Sequence, residues 1–132
     1  MRIITDSNVI VAAFSSHGLC KSLFEFLIEN HTIIISEYIL QEVDRIFIKK
    51  FKMPKDKVDE ILLFLRETTF ISDYSIPLKQ ISRDVNDDPI LGICEKQKVD
   101  FILTGDKDLL VLKNYKNVRI ISPREIWSIF KK

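Results

Sequence analysis

The apolar positions of the chain change period along its length. Short unbroken β-branched runs alternate with longer stretches in which apolar residues recur every third or fourth position. An unbroken run reads as a strand buried on both faces, and the longer spacing as one face of a helix. Strands are predicted at "RIIT" (2–5), "TIII" (32–35), "TFIS" (69–72), "FILT" (101–104) and "VRIIS" (118–122).

Helices are expected over 8–16, 20–30, 37–50, 54–68, 88–97 and 107–112, with a last one running through Trp127. Cys20, Leu23, Phe24, Leu27 and Ile28 share one face, as do Ile39, Leu40, Val43, Ile46 and Phe47. Ser36 suits the cap of the third helix and Pro54 the first turn of the fourth. Ser122-Pro123-Arg124-Glu125 reads as a capping box. Leu63 and Phe64 lie off the stripe of Val58, Ile61, Leu62 and Leu65, which suits a partner interface or a helix with neighbours on two sides. Residues 73–86 are expected to be irregular. The alternation predicts one α/β domain over 1–132, an α/β/α sandwich around a central, mostly parallel sheet of four to five strands.

Composition narrows the function. Twenty Lys+Arg against 19 Asp+Glu give a net charge of +1, so a basic nucleic-acid coat is not the signature, although local patches remain open. Two cysteines, Cys20 and Cys94, in apolar runs point to reduced thiols in a cytoplasmic protein. No apolar run reaches the roughly 18 residues of a membrane span, and no signal peptide is expected. His17 and His31 are isolated, which argues against zinc, and no G-x-G-x-x-G follows the first strand.

The acids carry the chemistry. In a parallel α/β sheet, helices that follow or precede a strand start at the strands' carboxyl edge, where such folds bind ligands. Asp6 directly follows "RIIT", Asp106 lies just past "FILT", and Asp87 and Asp88 begin the helix leading into "FILT". Glu42 sits in the helix after "TIII", about 40° outside its apolar arc. Taken singly, each has a plain explanation: a helix cap for Asp88, turn chemistry for Asp106 and Asp6, a solvated flank for Glu42. Together they are delivered to one edge. Carboxylates gathered there repel one another unless some are protonated or a cation sits among them. An all-oxygen donor set favours Mg²⁺ or Mn²⁺.

"TDSNVIVAAF", "SEYILQEV", "DDPILGICEKQKVDFILTGDKDL" and "ISPREI", in that order, resemble the PIN domain family, in its branch of VapC-like toxins from prokaryotic toxin–antitoxin systems. The family's usual Asp-Thr-Asn is here Asp6-Ser7-Asn8, which keeps a hydroxyl. The resemblance implies a metal-dependent endoribonuclease acting on single-stranded or structured RNA. It places Asp6, Glu42, Asp88 and Asp106 as catalytic ligands of one or two Mg²⁺ or Mn²⁺ ions, with Asp87 replacing or assisting Asp88. Asn8 would fix Asp6, and Ser7 and Thr104 would bond a phosphate or a water, or serve as ordinary strand-end hydroxyls. Lys107 and Arg83 are the candidate phosphate contacts; the run Lys49, Lys50, Lys52, Lys55, Lys57 reads as a solvated face. A homodimer and a cognate antitoxin are further implied. Two rivals remain: a PIN-like module without activity, and an aspartate-dependent phosphatase or receiver. Asn8, two positions after Asp6, counts against the phosphatase.

Overall fold

Isoleucine-rich runs become the centre of a single sheet in the computed structural model, which describes residues 1–16, 18–72, 88–94 and 97–130, with only the backbone at 88 and 89. The strands are β1 (Arg2–Thr5), β2 (Thr32–Ser36), β3 (Phe70–Ser72), β4 (Phe101–Leu103), β5 (Asn114–Tyr115) and β6 (Val118–Ile121). Their order is β3-β2-β1-β4-β6-β5, parallel throughout except for β5 against β6. The helices among the described residues are α1 (Ser7–Ser15), α2 (Leu19–Asn30), α3 (Glu37–Lys49), α4 (Lys55–Thr68), α5 (Asp88–Ile93), α6 (Lys107–Leu110) and α7 (Pro123–Phe130).

Consecutive residues on the inner strands are buried: Ile3 and Ile4, Ile33 to Ile35, Ile102 and Leu103, Ile120 and Ile121. Adjacent strand residues point to opposite faces, so both faces of the sheet are covered. Val9, Ile10, Leu23, Leu27, Ile39, Val43, Phe47, Leu91 and Ile126 complete the core from the helices. Arg66, near the end of α4, donates to both oxygens of Glu37 at the start of α3 (2.5 and 2.9 Å). This exposed pair adds little stability, but it shows α3 and α4 folding back as a hairpin. Among the described residues no single helix is long and apolar enough to cross a membrane.

The predicted caps at Ser36 and Ser122 hold. The Ser36 hydroxyl accepts the Ile39 N–H. Ser122 and Glu125 bond reciprocally, each side chain accepting the other's N–H, with Pro123 as the first helical residue. Pro54 differs: it is the N-cap of α4, one position before the first turn. The sheet also has one strand more than the four to five expected. β5 is two residues long, and the turn from it to β6 holds Lys116 and Asn117 at φ 48° and 69°. Two left-handed residues give the mirror-image hairpin turn, usually written Asn-Gly or Asp-Gly, so Lys-Asn gives little sequence signal. Residue 17, the segment 73–87 and residues 95, 96, 131 and 132 lie outside the described residues.

One residue beside the site is poorly satisfied. The buried Thr5 hydroxyl has no hydrogen-bond partner among the described residues. Thr5→Val removes that oxygen at constant shape, so it is expected to stabilise the fold by about 1 kcal/mol. Chemical denaturation of the two proteins side by side checks this, and an equal loss would show that the hydroxyl is bonded.

Candidate active site

The chain leaves β1 for β2 and β3 on one side of the sheet, then returns to β4 and β6 on the other. The order therefore reverses between β1 and β4, and the crevice at their carboxyl ends is the switch point of an open α/β sheet. Thr5 pairs with Leu103, so Asp6 and Thr104 emerge side by side. The Asp6 N–H donates to the Leu103 carbonyl at 3.2 Å, continuing the ladder one step.

Asp6 is 3% exposed. It caps α1, its Oδ1 accepting the Val9 N–H at 2.9 Å, while Oδ2 accepts the Thr104 hydroxyl. The same Thr104 oxygen accepts the Asp106 N–H at 3.0 Å, so one buried hydroxyl links two acids. Asp106 caps α6 through the Asp108 N–H at 2.8 Å. Glu42 lies about a turn and a half into α3 and reaches back to the start of α1. Its Oε1 accepts the Ser7 hydroxyl at 2.9 Å, and its Oε2 lies 3.6 Å from an Arg45 guanidinium nitrogen.

Burial pushes the Asp6 carboxyl up from its ordinary 3.8 to about 6. The Thr104 and Val9 hydrogen bonds pull the other way, and the charges of Asp106 and Glu42 push it further up. Asp106 and Glu42 thus each lie within electrostatic reach of Asp6. Among the described residues, neither Asp6 nor Asp106 has a basic partner. Each of the three acids is held by its own donor, and no three His, Cys, Asp or Glu side chains among the described residues are gathered tightly enough to hold one ion.

The other sequence candidates are placed as follows. The backbone of Asp88 begins α5, as expected; its side chain, with Asp87 and Arg83, lies outside the described residues. Lys107 is the exposed first residue of α6, beside Asp106. Asn8 is exposed, and Asp6 is fixed by Thr104 and the Val9 N–H, not by Asn8. Ser7 and Thr104 spend their hydroxyl protons on Glu42 and Asp6. Arg45 was not singled out from the sequence. The spacing of Glu42 and Arg45, three apart on one helix, was the available signal.

In kind, the side chains of Asp6, Glu42 and Asp106 are oxygen donors of the sort a hard divalent cation takes, and burial makes the charged Asp6 carboxylate costly.

A mainly parallel α/β sheet with hydrogen-bonded acids at its switch point defines an acid-centred α/β domain. The sequence model of the PIN domain matches residues 2–108, and the chain belongs to that family. Two solved structures share the fold. VapBC2 from Rickettsia felis, bound to a DNA fragment from its promoter, aligns at a TM-score of 0.64 and 20% identity, over 92% of this chain and 98% of that one. VapC20 of Mycobacterium tuberculosis, a sarcin–ricin-loop-cleaving toxin, aligns at 0.62 and 11% identity, over 89% and 98%. No curated protein matches the chain.

Proposed function

We propose that the chain is a metal-dependent endoribonuclease and the toxin of a toxin–antitoxin pair. The single observation that carries the reading is the buried Asp6 carboxyl at the switch point of a PIN domain, held by the Val9 N–H and by a Thr104 hydroxyl that also accepts the Asp106 N–H. A cleaving toxin among the structural neighbours supports a cleavage reaction. RNA as the substrate rests on the resemblance to the toxin branch.

Asp6, Glu42, Asp88 and Asp106 would hold one or two Mg²⁺ or Mn²⁺ ions. When bound, such an ion activates water, orients it in line with a phosphodiester and neutralises charge on the leaving oxygen. The chain's own residues prepare that site. Thr104 holds Asp6 and the Asp106 backbone in one geometry. Ser7 turns Glu42 inward from α3. Lys107 stands at the rim as a phosphate contact, a role that also falls to Arg83.

The VapBC2 neighbour supports a protein partner for this chain. Leu63 and Phe64 on α4 are exposed, and Phe64 stacks edge-on against Phe14 of α1, leaving an apolar surface for an antitoxin or a second copy. The reading is tested by incubating a mixed RNA pool with the chain in Mg²⁺, Mn²⁺ or EDTA. Cleavage with either ion and none in EDTA supports it; an inert PIN-like module predicts intact RNA in all three.

A further inference from the structure

One face of α3 leads out of the acid site and has no role in the reading so far. Tyr38, Gln41, Glu42 and Arg45 line an open cleft of about 260 Å³, close to the small end of ligand sites. At 100° per residue these four, with Lys49 one turn further on, fall within an arc of about 100°. The cleft shares Glu42 with the acid site. Arg45 pairs with the site acid Glu42, and its side chain is 60% exposed. Lys55 and Lys57, by contrast, pair with Asp59 and Glu60 away from the site.

The chemistry of this face is specific. A guanidinium fork suits a phosphate. An exposed amide such as Gln41 suits a base edge. We propose that the Gln41–Arg45 face of α3 is a nucleotide subsite for single-stranded RNA, adjoining the bond cut at the acid site. Arg45 takes the phosphate, Gln41 the base edge, and Lys49 the next phosphate along the strand. The proposal rests on the RNA-cleavage reading above for its ligand class.

The test measures binding, so it is independent of turnover. Fluorescence anisotropy of short labelled single-stranded RNA, in EDTA so that no metal-dependent cleavage occurs, compares the wild-type chain with Arg45→Ala, Gln41→Ala and Lys57→Ala. Arg45→Ala is expected to weaken binding about tenfold and to lower the salt slope by about one. Lys57→Ala is expected to bind within about twofold of wild type, since its charge is not on the proposed track. Gln41→Ala is expected to flatten the wild-type preference among oligo-A, oligo-C and oligo-U by several-fold. Wild-type affinity in Arg45→Ala, or an equal loss in Lys57→Ala, overturns the subsite. Absence of any base preference in the wild type overturns the role of Gln41. If binding follows the expected pattern but no metal supports cleavage, the nuclease reading falls and the subsite stands.

Discussion

Asp6→Asn is expected to abolish Mn²⁺-dependent RNA cleavage, by about a thousandfold or more, in a chain that stays folded. The size follows from what the substitution removes. Asp6 is the buried acid at the centre of the site, and both its oxygens are positioned by donors on two different elements. Asparagine keeps the shape: its oxygen can still accept the Val9 N–H, and its amide can donate to the Thr104 oxygen. The negative charge that would draw a divalent ion is gone. Initial rates on a mixed RNA pool, with circular dichroism to confirm the fold, give the answer. Turnover equal to wild type would remove Asp6 from the mechanism.

The same substitution is expected to act in the opposite direction on stability. A carboxyl held near 6 rather than 3.8 disfavours the charged folded state by roughly 3 kcal/mol. Because the folded value is raised, the favourable contribution of the protonated group is complete below pH 3.8 and is lost as pH rises through about 6. Above that, the metal-free wild type carries the whole penalty. In EDTA at slightly alkaline pH, Asp6→Asn should therefore melt roughly 10 °C higher than wild type. The gap should close as pH falls through 6 toward 4. Saturating Mn²⁺ should narrow or reverse the order, because an ion that binds only the folded wild type stabilises it. Melting curves across pH, with and without the ion, test all three statements. A wild type no less stable than Asp6→Asn at pH 8 in EDTA would show that the site does not strain its own carboxylate.

How much of this was readable in advance depended on whether the signal was local. The parallel strands were legible because β-branched runs such as Ile33–Ile35 have no other use than a strand buried on both faces. The caps at Ser36 and Ser122 were legible because capping is a contact between residues three apart. β5 was not, since it is two residues long and turns on Lys116-Asn117 in place of glycine.

The positions of Asp6 and Asp106 followed from topology, because an acid just after a parallel strand must sit at the carboxyl edge. Their donors did not follow. Thr104 meets Asp6 only because β1 and β4 are neighbours in a register that sets Thr5 opposite Leu103. Asn8 was expected to fix Asp6 because it is close in sequence, yet on α1 it turns outward to solvent. Arg45 gains its place at the site from the turn of Glu42 toward Ser7, a contact between residues 35 apart in sequence.

The central claim is that Asp6 and the acids around it bind a divalent cation at the β1–β4 switch point. Titration of the metal-free chain with Mn²⁺, followed by calorimetry, measures this directly. Saturable binding of one or two ions in the wild type, lost in Asp6→Asn, is the expected result. Wild-type and variant chains that take up Mn²⁺ equally, or neither binding it at all, would contradict the account.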